Sequence, residues 1–181
     1  DVASAVRDAD VVITMVGTPV DVEDLYLSHD GILEVSAPGA YLIDMTTSSP
    51  QLARDISEVA ELSGKHAFDA PVTGGPQGAA AGTLTIFCGT DAETLAGVRD
   101  VLACMGSKIV CFGAAGKGQL AKLANQTALA GAMVGFAEGF AFAKQAGLDL
   151  AQTLDAFAGG MADSRVLATF GPKVLAGDYA P

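Results

Sequence analysis

Tryptophan is absent from this 181-residue chain, cysteine occurs three times and histidine twice. Cys88, Cys104 and Cys111 fit neither a zinc pattern nor a disulfide framework. Free, buried thiols in a reducing, cytoplasmic setting are therefore expected. His29 and His66 are too few for a multi-histidine metal centre, and no metal is expected. Basic residues are also scarce: 10 Lys and Arg against 21 Asp and Glu give a formal net charge of −11. The scattered cations argue against nucleic acid, which needs them clustered. A few local donors still suffice for a small anion, so a carboxylate ligand stays open.

Two phosphate-binding patterns are missing as well. The fingerprint GxGxxG occurs nowhere. Gly116-Lys117-Gly118 has neither the glycine spacing of a P-loop nor a Ser or Thr after the lysine. A long charge-free apolar run is lacking too. Residues 123–143 are long enough to span a bilayer, but Asn125, Gln126 and Glu138 within them are costly in hydrocarbon. A buried helix is expected there, and no membrane partner.

What is present is an alternation of strands and helices. Half of the residues are hydrophobic, enough for a substantial core. After a short helical start, residues 11–16 form an apolar, β-branched run that reads as a strand buried on both faces. Thr18 and Pro19 then offer an N-cap and a first helical position. Residues 41–45 read as a strand, and residues 50–62 as a helix capped by Ser49. Strands follow at 66–70, 83–88 and 108–112, with a helix near 92–105. This order implies an α/β sheet with crossover connections.

From residue 117 to about 146 the pattern is one long helix, ended by Gly147, and the remainder reads as helical. The expected organisation is an α/β domain at 1–115 and an all-helical domain at 116–181. Gly131, Gly135 and Gly139 form a stripe along the long helix, each costing roughly 1 kcal/mol relative to alanine. Such a stripe reads as a device for close helix packing, at a subunit interface for example.

Two stretches carry candidate chemistry. Asp69-Ala70-Pro71-Val72-Thr73-Gly74-Gly75 reads as a strand ending in a glycine turn. Its N–H groups and the Thr73 hydroxyl can make a nest for a small anion, although a plain turn has the same signature. In Gly116-Lys117-Gly118-Gln119-Leu120-Ala121-Lys122-Leu123-Ala124-Asn125-Gln126, the amides of Asn125 and Gln126 lie three and four positions after Lys122, on one helical face. Lys122 between Leu120 and Leu123 is placed for partial desolvation. That lowers a lysine pKa and suits it to acid–base work near neutrality. A lysine that snorkels along its helix is the plainer alternative.

At these residues the sequence resembles the β-hydroxyacid dehydrogenases, which include 3-hydroxyisobutyrate dehydrogenase, tartronate semialdehyde (2-hydroxy-3-oxopropionate) reductase and, more distantly, 6-phosphogluconate dehydrogenase. Four segments match in order. Residues 10–22 resemble the strand and turn against the cofactor. Asp44-Met45-Thr46-Thr47-Ser48-Ser49-Pro50 resembles a D-x-[ST]-T-x-x-P segment. Residues 69–84 resemble the D-A-P-V-[ST]-G-G signature with its later G-A and G-T-L. Gly116, Gly118, Lys122 and Asn125 resemble the catalytic helix.

The resemblance implies a partial Rossmann-type dinucleotide-binding domain followed by an all-helical domain. It also implies NAD or NADP as cofactor, a small carboxylate substrate, and a homodimer or homotetramer. Lys122 then looks like the catalytic lysine, protonating a carbonyl oxygen in reduction and accepting a hydroxyl proton in reverse. Thr73, Gly74 and Gly75 look like carboxylate contacts, Asn125 and Gln126 like substrate-positioning amides, and Val16, Gly17 and Thr47 like cofactor contacts. Many members have Ser in place of Thr73 and Asn in place of Gln126. The Asn-Gln pair resembles the tartronate semialdehyde reductase branch and some bacterial 3-hydroxyisobutyrate-type enzymes. The His-Asn pair usual in 6-phosphogluconate dehydrogenases is not found, which favours a small substrate over a sugar phosphate.

Relative to the family, the chain is expected to be an internal fragment, without the N-terminal glycine-rich loop and the C-terminal helices. The expected activity is interconversion of a small β-hydroxy acid and its semialdehyde. The alternative is a non-catalytic oligomerisation or binding module, or a cofactor-incompetent fragment.

Overall fold

The computed structural model describes residues 1–180; Pro181, the last residue of the expected helical domain, lies outside the described residues. The chain divides into two compact units, Asp1–Leu123 and the segment from Ala124 onward. The first contains, in order, α1 (Val2–Val6), β1 (Val11–Thr14), α2 (Pro19–Leu27), α3 (Ile32–Val35), β2 (Tyr41–Asp44), α4 (Pro50–Leu62), β3 (His66–Asp69), β4 (Val72–Thr73), α5 (Gly75–Ala80), β5 (Leu84–Cys88), α6 (Ala92–Ala103) and β6 (Gly106–Cys111). The division between the units falls within α7 (Lys117–Gln145), and the second unit adds α8 (Leu150–Phe157) and α9 (Arg165–Leu175). This is the expected class, a partial Rossmann-type α/β domain followed by helices.

Local chemistry explains the helix starts. Thr18 and Asp21 form a capping box ahead of Pro19. Ser49 accepts from the backbone N–H groups of Gln51 and Leu52 ahead of α4. Asp91, Asp149 and Ser164 cap α6, α8 and α9 in the same way.

The strands form two three-stranded sheets. In the first, β1, β2 and β3 are parallel and in register, so that Thr14, Asp44 and the aligned Asp69 come level at their carboxyl ends. In the second, β4 pairs antiparallel with β5, and β5 parallel with β6. A bridge between Asp69 and Gly89 links the two. Alternation along β2 sends Leu42 into a core with Val12, Val22, Tyr26 and Ile56. It sends Ile43 into another with Phe68, Ile86, Val98 and Leu102. Both faces of β2 are therefore covered, as its apolar sequence requires.

Three expectations need correction. Strand β1 is buried on one face only: Val12 and Thr14 are buried, whereas Ile13 and Met15 are exposed, Met15 to 66%. A β-branched run at the edge of a sheet carries the same signature as a central strand. The expected strand end and glycine turn at Thr73-Gly74-Gly75 are present, with Gly74 at φ +133° and Gly75 at φ +64°, and a short helix follows. Of the free thiols only Cys88 is buried; Cys104 and Cys111 are exposed. Helix α7 is buried only in part along residues 123–143: Phe140 and Ala143 are buried, whereas Leu129, Met133, Val134 and Phe142 are exposed. Among the described residues no helix is long and apolar enough to cross a membrane.

Candidate active site

The site is built where β1, β2 and β3 end. Their carboxyl ends carry polar residues in otherwise apolar strands, and the structure joins these into a buried network. The Thr14 hydroxyl donates to Asp44 Oδ1 at 2.9 Å and lies 3.1 Å from the Tyr26 hydroxyl. Asp44 Oδ1 also accepts from the Thr46 N–H at 3.1 Å. Thr46 Oγ1 in turn accepts from the Val16 N–H at 3.0 Å. The loop after β1 and the loop after β2 are thus held together through Thr46. Burial drives the Asp44 pKa up, against the hydrogen bonds from Thr46 and Thr14, and raises that of Tyr26 well above a normal phenol.

This network presents the three expected cofactor residues. Val16 is half-buried, while Gly17 and Thr47 are exposed. The crevice outside the carboxyl ends of parallel strands is where α/β sheets take dinucleotides. Gly17 and Thr47 lie exposed at these carboxyl ends beside the exposed Met15. A surface depression of about 440 Å³, lined by Arg54, His66, Thr90 and Ala114 among others, contains none of these residues.

The start of α7 is pinned to β3. Asp69, 1% exposed, accepts from the Gly116 N–H through Oδ1 at 2.7 Å and from the Gln119 N–H through Oδ2 at 2.6 Å. A carboxylate here satisfies donors that a helix N-terminus leaves unpaired and complements its dipole. Burial raises the Asp69 pKa, the two amides oppose that, and the charge of Asp44 adds to it. The approach demands glycine. A methyl on Gly118 would run into the Phe87 carbonyl oxygen and stand 2.8 Å from Asp69 Oδ2.

Gln119 completes the junction and is 0% exposed. Its Oε1 accepts from the Ser48 N–H at 2.9 Å, and its Nε2 donates to the Thr46 carbonyl at 2.7 Å. Lys122 follows one turn later, 8% exposed, with its pKa lowered by desolvation. Among the described residues no carboxylate forms an ion pair with it. Leu120 and Leu123, expected to shield Lys122, are themselves exposed. The usual pattern of a helix is inverted over this turn: Gly118, Gln119 and Lys122 face inward and the leucines face out. A surface lysine is thereby excluded.

The remaining expected residues are placed as follows. Thr73 pairs with Thr85 and is half-buried, and Gly74 and Gly75 are exposed at the turn into α5. Leu84 Cδ2 lies 3.1 Å from where a Gly74 side chain would begin. Asn125 and Gln126 belong to the second unit, where Asn125 Nδ2 donates to Gln126 Oε1 at 3.0 Å. His29, Asp30 and Glu34 are the one group among the described residues with metal-ligand spacing, and all three are exposed. Sequence reasoning gave no role to Asp44, Thr46, Asp69 or Gln119. The available signal was a polar residue ending each apolar strand, and a glutamine one turn before the lysine.

A parallel sheet with polar loops at its carboxyl ends, joined to a helix bearing a buried lysine, is the arrangement of a dinucleotide-binding α/β domain followed by helices. Comparison with known proteins agrees. Residues 1–113 match the family model for the NAD binding domain of 6-phosphogluconate dehydrogenase. Residues 116–181 match that for the NAD-binding domain of NADP-dependent 3-hydroxyisobutyrate dehydrogenase. The chain is 44% identical over 175 residues to the uncharacterized oxidoreductase YkwC of Bacillus subtilis, covering 97% of this chain and 61% of that protein. It is 45% identical over 145 residues to the NAD-dependent L-serine dehydrogenase of Pseudomonas aeruginosa, covering 80% and 49%. The solved 3-hydroxyisobutyrate dehydrogenase of Mycobacterium tuberculosis with L-serine superimposes with a TM-score of 0.85 at 39% identity, covering 94% of this chain and 57% of that one. The chain belongs to the β-hydroxyacid dehydrogenase family of oxidoreductases, whose cofactor is NAD or NADP. It spans about half to three-fifths of the length of the curated relatives cited.

Proposed function

We propose that this chain is the cofactor-binding and proton-transferring part of an NAD(P)-dependent oxidoreductase. The reaction is interconversion of a small β-hydroxy acid and its semialdehyde. The observation that carries the reading is Lys122, a desolvated lysine on an inward face, on a helix clamped to the loop after β2 and to the end of β3. When bound, the nicotinamide supplies or takes the hydride. Lys122 supplies the proton to the carbonyl oxygen in reduction and removes the hydroxyl proton in oxidation. Val16, Gly17 and Thr47 hold the nicotinamide side of the cofactor. Thr73, Gly74 and Gly75 hold the substrate carboxylate, and Asn125 and Gln126 orient the substrate.

The substrate class is a small β-hydroxy carboxylate or the corresponding semialdehyde, of the 3-hydroxyisobutyrate or 2-hydroxy-3-oxopropionate type. L-Serine is a β-hydroxy acid too, and the named activity of the Pseudomonas relative brings it into the same set. The exposed face of α7, where Gly131 and Gly135 have no neighbour within 4 Å of an added methyl, supports assembly into homodimers or homotetramers. Three free thiols support a reducing, cytoplasmic location.

The test is turnover of 3-hydroxyisobutyrate, tartronate semialdehyde and L-serine with NAD(H) and NADP(H), in wild type and Lys122→Ala. General acid–base catalysis contributes about 10²–10⁴-fold, so the variant should lose at least about 100-fold in kcat while staying folded. Unchanged turnover in the folded variant removes Lys122 from the mechanism.

A further inference from the structure

We infer that Gln119 is a positioning residue for hydride and proton transfer. Its carboxamide fixes Thr47 on the cofactor side, while its place in α7 fixes Lys122 one turn away. The inference rests on the reading of Lys122 and Thr47 given above. Its foundation is which peptides the side chain engages. Nε2 donates to the Thr46 carbonyl at 2.7 Å and Oε1 accepts from the Ser48 N–H at 2.9 Å. These are the two peptide groups that flank Thr47. The carboxamide thus binds the loop as a neighbouring strand would, donor to acceptor and acceptor to donor. It leaves Thr47 itself outward and exposed.

The main chain of the same residue is held independently, by Asp69 Oδ2 at 2.6 Å. Gln119 is therefore anchored to β3 by its backbone and to the loop after β2 by its side chain. At 0% exposure it has no competing water. The loop continues the connection, since Thr46 Oγ1 accepts from the Val16 N–H at 3.0 Å. All of the proposed cofactor contacts are in this way referenced to the turn of α7 that carries Lys122. A helix that needed only packing at position 119 would be served by leucine. A buried amide with both ends used has a positional role that an apolar side chain cannot fill.

The test compares Gln119→Met, which keeps the volume and removes both hydrogen bonds, with Gln119→Glu, which keeps the acceptor for Ser48 and loses the donor to Thr46. In the enzyme, Gln119→Met should lower kcat by between about 10-fold and 100-fold, the scale of a 1 Å misplacement. The primary deuterium isotope effect from 4-deuterated reduced nicotinamide cofactor should rise as hydride transfer becomes limiting. Independently of turnover, hydrogen exchange at the Ser48 amide should be slow in wild type and fast in Gln119→Met.

A purely structural role gives a different pattern: lower thermal stability and fast Ser48 exchange, with kcat and isotope effect unchanged below the melting transition. That pattern overturns the inference. Should Gln119→Met fail to fold, the same readouts on Gln119→Glu decide. If Lys122→Ala leaves turnover intact, the reading of the reaction fails. If Lys122→Ala abolishes turnover while both Gln119 variants stay at wild-type kcat, only the positioning role fails.

Discussion

Asp69 Oδ2 accepts from the backbone N–H of Gln119 at 2.6 Å, across 50 residues of sequence. Its other oxygen takes the Gly116 N–H at 2.7 Å. One strand-end carboxylate thus sets both the origin and the direction of the helix that bears Lys122.

Replacing Asp69 by Asn tests this clamp. An amide can accept from only one of the two N–H groups and turns a donor toward the other. A hydrogen bond to a charged group contributes about 1.5–3 kcal/mol, and a buried unpaired donor costs about 1–3 kcal/mol. Relief of the buried charge offsets part of this. Asp69→Asn should lose about 2 kcal/mol in urea unfolding, with activity falling further than stability accounts for. Equal stability would mean that the clamp contributes nothing net.

Gly118→Ala tests the close approach. The added methyl meets the Phe87 carbonyl and Asp69, and neither can swing away as a flexible side chain would. Overpacking typically costs about 1–3 kcal/mol, which should outweigh the gain in helix propensity of about 1 kcal/mol from losing a glycine. Chemical denaturation should therefore show a net loss, although Ala is the better helix former.

Much of this architecture was legible in the residues. Caps at Thr18 and Ser49 located helices because capping is a local interaction, complete within four residues. The resemblance singled out Lys122, for which spacing alone favoured a snorkelling lysine. The clamp was not legible. Asp69 and Gln119 meet only through the register of β2 with β3 and the entry of α7, and no local pattern encodes a contact so distant in sequence. Burial of Lys122 was foreseen for the wrong reason. Its neighbouring leucines suggested an apolar shield, yet those leucines face out because the helix turns its polar side toward the site. The two-faced burial expected of β1 failed likewise, since composition reports an apolar strand and not whether a neighbour covers it.

Asp44 gives a pH prediction with a definite sign. Its pKa is raised in the fold by burial, so the native state binds more protons than the unfolded chain. Stability from this group is fully present below the unfolded value, near pH 3.9, and is lost as pH rises through the raised folded value. Asp44→Asn keeps an oxygen to accept from Thr14 and Thr46 and removes the charge. The variant should therefore gain on wild type as pH rises from about 4 toward 8, seen as a narrowing or reversing difference in Tm. A constant difference across that range would mean that Asp44 does not titrate differently on folding.

Lys122 has the opposite linkage. Burial lowers its pKa, so the folded state binds fewer protons than the unfolded chain, and stability rises with pH through the window from the lowered folded value up to about 10.4. Lys122→Met removes the charge and keeps the length, so it should raise Tm at pH 7 and lose that pH dependence while abolishing turnover. A gain in stability together with a loss of activity is the signature of a group held in an unfavourable environment because the reaction needs it there. NMR titration of ¹³Cε-labelled lysine provides the direct check: the Lys122 resonance should titrate below those of the exposed lysines. If it titrates with them and Lys122→Met leaves Tm unmoved, the side chain is solvated in solution and the acid–base role loses its physical basis.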